Sequence, residues 1–71
     1  MNWGAHPGDP ETFYALGENG RRYRVKRNKH GGDYWYADEW RPDMRECFDM
    51  FRKGTKDECV AWCERRAKEK R

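Results

Sequence analysis

Residues 21–40 read RRYRVKRNKHGGDYWYADEW, two runs of alternating side chains parted by a turn. Successive side chains of an extended strand point to opposite faces of a sheet. In RRYRVKR, Tyr23 and Val25 therefore share one face while Arg22, Arg24 and Lys26 share the other. In DYWYADEW, Trp35 takes one face and Tyr34 with Tyr36 the opposite one. If Trp35 joins Val25 in a core, the two tyrosines stand among the three cations, and NKHGGD is the turn that folds one strand back on the other.

The flanking segments extend the pattern. Upstream, TFYAL (12–16) and the Gly- and Asn-containing GENG (17–20) complete a hairpin with RRYRVKR. Downstream, RPDM (41–44) offers a Pro-led turn, and the alternation of RECFDMFRKG (45–54) predicts a further strand, with a short helical turn over Met44–Met50 as the alternative. TKDECVAWCERRAKEKR (55–71) predicts a helix: Thr55 as N-cap with Glu58 three residues on forms a capping box, acids fall early, and Lys and Arg crowd the end, as the helix dipole prefers. Its apolar positions Cys59, Val60, Cys63 and Ala67, flanked by Trp62, form a stripe that must pack on one face of the sheet. The expected fold is α+β, a three- to four-stranded antiparallel sheet packed against one C-terminal helix. Residues 1–11, a Gly-, Pro- and Asp-containing stretch without periodicity, read as a flexible leader, and residues 12–71 as a single domain.

A chain of 71 residues has room for one thin core. Its hydrophobic fraction is 35% and its charged fraction 41%, a balance that leans toward disorder until the four Trp, four Tyr and three Phe are counted. Aromatic rings bury roughly 150–250 Å² each, so a few suffice for a core with hardly any leucine. The net charge of +3 is distributed in blocks: residues 21–30 hold six bases and no acid, and residues 31–50 hold six acids against two bases. A basic patch is expected, not a uniformly basic surface. The N-terminus lacks the basic and apolar regions of a secretory signal and no stretch is long and apolar enough to span a bilayer, so the expected location is the cytoplasm, without a membrane partner. Three cysteines in such a chain read as reduced thiols.

Catalytic and metal motifs are absent. His6 and His30 have no partner at motif spacing, and neither a P-loop, a G-x-S-x-G element nor a paired-carboxylate motif occurs. Cys59 and Cys63 with Cys47 and His30 contain the ligand types for zinc, but the C-x2-C knuckle that usually begins a structural site is missing, and buried reduced thiols account for the two helical cysteines. The expectation is a non-enzyme with no cofactor and no small-molecule substrate. Cations neutralise phosphates and flat rings stack on bases, so the face bearing Arg22, Arg24, Lys26, Tyr34 and Tyr36, extended by Lys29 and His30 in the turn, is the candidate nucleic-acid surface. The acidic segment with Asp38, Glu39, Trp40 and Asp43 is the candidate for an alternative protein interface, with Trp40 as its anchor.

The succession YRVKRNKHGGDYWYA followed by FDMFRKGTKDECVAWCERRAKEK resembles, over about residues 21–70, the small arm-type DNA-binding domains at the N-termini of phage and transposon tyrosine recombinases. In layout it is also similar to the plant ethylene-response DNA-binding domain. The resemblance implies double-stranded DNA as partner, with a three-stranded sheet in the major groove, the helix bracing it from behind, and Arg22, Arg24, Lys26, Tyr34 and Tyr36 as contacts. The recombinase catalytic domain is missing, which implies a stand-alone accessory or regulatory module of a mobile element. Small aromatic-rich proteins with segmented charge also resemble phage-encoded inhibitors of host defence, the anti-CRISPR proteins, which implies a host protein as the alternative partner.

Overall fold

The computed structural model describes residues 1–43 and 45–69. Five strands and one helix follow each other as β1 (Gly4–His6), β2 (Asp9–Leu16), β3 (Arg22–Asn28), β4 (Tyr34–Trp40), β5 (Asp49–Lys53) and α1 (Lys56–Lys68). The strands form one antiparallel sheet in chain order, each paired with its predecessor. Short turns make this meander possible. Between β2 and β3 the Gly17 and Gly20 amides donate to Arg21 and Gly17 carbonyls, and Asn19 Oδ1 accepts from the Arg21 amide. Between β3 and β4, Gly31 and Gly32 take φ of +73° and +136°, values open to glycine at little steric cost.

Alternation decides which side of the sheet α1 covers. Tyr23, Val25 and Ala37 are fully buried beneath Cys59, Trp62, Cys63 and Ala67 of the helix, with Trp3, Trp35, Phe51 and Val60 packed around them. The helix positions recur at i, i+3, i+4 and i+8, one stripe of an α-helix. Aromatic area supplies the core: Phe51 stacks on Trp62 with ring centroids 5.5 Å apart, and Phe13 lies 6.4 Å from Trp35 with the Lys56 ammonium 4.0 Å above the Phe13 ring. Thr55 caps the helix, its hydroxyl accepting from the Glu58 amide at 3.3 Å and donating to Glu58 Oε1 at 3.0 Å.

Three sequence expectations change. The sheet has five strands, not three to four: the stretch 1–11 read as a leader supplies β1 and the start of β2, with Gly4 opposite Tyr14 and Ala5 opposite Phe13. Met1 and Trp3 pack against the core, and the Met1 amine lies 3.4 Å from Glu64. All three β1 residues are exposed, so no apolar alternation marks them. Trp62, expected at the flank of the helix stripe, is buried and central, whereas Val60 is only half-buried. The segment read as strand or helical turn resolves into β5 from Asp49; Met44, and Lys70 and Arg71 at the end of the expected helix, lie outside the described residues.

Candidate functional site on the open sheet face

The face opposite α1 carries the other half of each strand. Register sets its side chains in rows across the sheet: Leu16, Arg22 and Trp40; then Tyr14, Arg24, Asp38 and Met50; then Thr12, Lys26 and Tyr36; then Asn28 and Tyr34. Arg22, Arg24, Lys26, Tyr34 and Tyr36 therefore do share one face, as their parity predicts. Lys29 and His30 lie exposed in the β3–β4 turn at its Asn28 end. Lys29 is ion-paired with Glu11, which also holds Arg27 at 2.8 Å.

Asp38 sits at the centre of this face and is fully buried although no helix covers it. Its lid is Arg24, directly opposite on β3, whose Nε donates to Asp38 Oδ2 at 2.7 Å and whose Nη2 reaches the same oxygen. The guanidinium carbon lies 5.9 Å from the Tyr36 ring and 5.8 Å from the Trp40 ring. Cys47 closes the Asp38 site from the far side, with its thiol 3.8 Å from Asp38 Oδ1 and 2.8 Å from the Asp49 carbonyl. Burial and then the Asp38 charge push the Cys47 thiol up from its ordinary value, so it stays protonated and unreactive at neutral pH.

The expected acidic surface around Asp38, Glu39 and Trp40 is not on the outside. Alternation splits it, with Asp38 and Trp40 on the open face and Glu39 turned under the helix, where it too is fully buried. Glu39 accepts from Tyr23 Oη at 2.6 Å and from Arg66 Nε and Nη2 at 3.0 and 2.7 Å, with Arg21 Nη1 3.3 Å away. Burial alone would raise its pKa, but Arg66, Tyr23 and Arg21 together outweigh burial and hold it below the usual carboxylate range. The same contact, after burial itself, pushes the Tyr23 phenol up to about 12. Of the acidic segment, Asp43 remains exposed and Trp40 half-exposed.

With both central carboxylates consumed internally, the open face presents cations and rings. Arg22 is exposed and Lys26 half-exposed, and among the described residues neither has an ion-pair partner, although the field of Lys26 reaches Asp9. Depressions among the described residues mark the face. One of about 220 Å³ lies between Tyr14, Arg22, Arg24 and Trp40; one of about 270 Å³ between Arg24, Asn28, Tyr34, Tyr36 and Met50; and a polar one of about 370 Å³ between Lys26, Asn28, His30, Tyr36 and the start of β2. Tyr14, Leu16 and Met50 keep 43%, 67% and 45% of their surface in solvent, a combination of apolar and cationic exposure suited to a ligand with flat apolar faces and negative charge.

Sequence reasoning left out Tyr14 and grouped Trp40 with the acidic segment, not with this face. Trp40 has the same parity as Tyr34 and Tyr36, and Tyr14 opposes Arg24 once the β2–β3 register is known, so the signal was alternation carried one step further. Among the described residues no three His, Cys, Asp or Glu side chains converge as a metal site. Cys59 and Cys63 lie in the core, where burial pushes the Cys63 thiol up to about 12. Among the described residues no helix is long and apolar enough to cross a membrane. No family model, curated protein or solved structure matches the chain.

Proposed function

We propose that this domain is a non-enzymatic accessory or regulatory module that binds nucleic acid through the open face of its sheet. One observation carries the reading: Arg22 and Lys26, without ion-pair partners among the described residues, flank a row of rings on a face whose central carboxylate is sealed beneath Arg24. Unpaired cations attract phosphates, and rings held between them offer stacking surface. Arg24 has a different role from the one the sequence suggests. Its charge is matched by Asp38, so it orders the face and adds little net attraction.

A salt titration of binding tests this. Each phosphate neutralised contributes about 0.9 to the log–log salt slope on duplex and about 0.7 on single strands. Arg22→Ala and Lys26→Ala should each weaken binding and flatten the slope by roughly that amount. Absence of binding to any nucleic acid at low salt, or a slope indifferent to both substitutions, refutes the proposal. A protein partner docked on the same face is the second reading, favoured by the solvent-exposed Leu16 and Met50.

A further inference from the structure

Resting on the nucleic-acid reading, we infer that the ligand is a single strand, its bases stacked on Tyr14 and Trp40 in one depression and on Tyr34 and Tyr36 in the next. Width is the first reason. At the central row, Gly4, Tyr14, Arg24, Asp38 and Met50 align across all five strands. Four inter-strand spacings of about 4.8 Å make that row about 19 Å wide, against a major groove of about 12 Å. The three-stranded insertion implied by the recombinase resemblance is blocked here by the strands added at both sides.

Surface chemistry is the second reason. A duplex turns its bases' π-faces inward and shows a protein phosphates, sugars and base edges. Against it the exposed Tyr14 ring, the Leu16 and Met50 side chains and the half-exposed Tyr34, Tyr36 and Trp40 rings would meet mostly polar or charged groups, with thymine methyls as the main apolar exception. An unpaired base offers each of them a flat apolar partner. The two ring-lined depressions, about 220 and 270 Å³, fall below the range of sites that enclose a drug-sized ligand, roughly 300–1,000 Å³, and suit something smaller, such as a base. Between them stands Arg24, pinned by Asp38 and within 6 Å of both the Tyr36 and Trp40 rings, so the spacing of the depressions is fixed before any ligand arrives. Arg22 borders the first depression and Lys26 opposes Tyr36 at the edge of the second, where each can meet a phosphate joining stacked nucleotides.

The experiment compares the full chain's affinity for a single-stranded oligonucleotide and for a hairpin duplex with the same number of phosphates at one salt concentration, read by tryptophan fluorescence. The single strand should bind at least about tenfold tighter. Tyr36→Leu and Trp40→Leu should each cut that affinity roughly five- to 150-fold, in line with the loss of one stacked base, while Tyr36→Phe and Trp40→Phe restore most of it. Unchanged urea midpoints in the Phe variants keep the comparison valid if a leucine variant folds poorly. Duplex binding as tight as single-strand binding overturns this inference and leaves the nucleic-acid reading standing. A single-strand preference indifferent to all four substitutions overturns the stacking sites, and failure of both ligands to bind overturns the inference together with the reading beneath it.

Discussion

Glu39→Gln isolates the contribution of the buried charge beneath the helix. The side chain keeps its size and one carbonyl oxygen for Arg66, but an NH2 group replaces the oxygen that accepts from Tyr23 at 2.6 Å and faces Arg21 at 3.3 Å. Tyr23 Oη already accepts from Asn19 Nδ2 at 2.9 Å, so a rotated phenol gains little, and the largely buried Arg21 guanidinium loses its counter-charge while Arg66 keeps Asp49 at 3.1 Å. Charge-assisted hydrogen bonds contribute about 1.5–3 kcal/mol each and a broken buried pair costs about 3–5 kcal/mol. With one Arg66 contact retained, the expected loss is about 3 kcal/mol. In a domain this size that lowers Tm by about 12–24 °C. Urea denaturation followed by tryptophan fluorescence measures it, Trp62 reporting from its stack on Phe51. The pH dependence has a definite sign. Because folding lowers the Glu39 pKa, its stabilisation is present above the unfolded value of about 4.3 and is lost as pH falls through the folded value. The glutamine side chain takes up no proton, so the two proteins should converge once pH falls below the lowered folded value of Glu39, while the acid responses of Asp9, Glu11 and Asp33, whose pKa values are also lowered, cancel between them. An equal urea midpoint at pH 7, or a gap that stays constant down to acid pH, would refute the reasoning.

Tyr23 sets the alkaline limit in the opposite sense. Its folded pKa of about 12 lies above the unfolded value near 10, so its contribution is complete below pH 10 and is lost as pH rises toward 12, about 2–3 kcal/mol in all. Tyr23→Phe should cost about 1–2 kcal/mol at neutral pH through the lost bond to Glu39 and make the decline above pH 10 shallower; parallel stability curves would contradict this. At Gly17 an added Cβ would come within 2.8 Å of Tyr23 Cε2 and 3.1 Å of Ala67 Cβ, whereas at Gly54 it meets nothing within 4 Å. Gly17→Ala should therefore destabilise by about 1–3 kcal/mol and Gly54→Ala by almost nothing, a contrast that equal urea midpoints for the two variants would deny.

Much of this fold is written in local pattern. The parity of Tyr23 and Val25 against Arg22, Arg24 and Lys26 assigns both faces of the sheet, and Thr55 with Glu58 marks the start of the helix, because these signals depend only on residues a few positions apart. What stayed hidden depends on partners far along the chain. Asp38 and Glu39 read as solvated acids because their partners are Arg24, 14 residues away, and Arg66, 27 residues away; only register and the docking of the helix bring them together. β1 stayed hidden for another reason: three exposed residues have no buried face to generate a pattern, and their strand is defined by backbone pairing to β2. The binding face was half legible, since parity collects its cations but the loss of Arg24 to Asp38 does not follow from parity.

That loss changes what the net charge means. A charge of +3 with 13 acids looks too mild for a polyanion partner if every acid is counted equally. The acids are not equivalent. Asp38 and Glu39 are fully buried against Arg24, Arg21 and Arg66, Glu11 is occupied by Arg27 and Lys29, and Asp33 by Arg27. These pairings remove bases as well as acids, so attraction for phosphate depends on which cations are left over and where they stand. Among the described side chains of the open face those are Arg22 and Lys26, two residues on either side of Arg24 along a single strand. Duplex binding commonly engages about 6–10 phosphates, more than these two cations reach. They are enough to hold a short single strand whose affinity comes mainly from stacked bases, each worth about 1–3 kcal/mol. The modest net charge, an argument against a nucleic-acid ligand when only composition is known, thus fits one in which rings carry most of the affinity and charge sets the path of the strand.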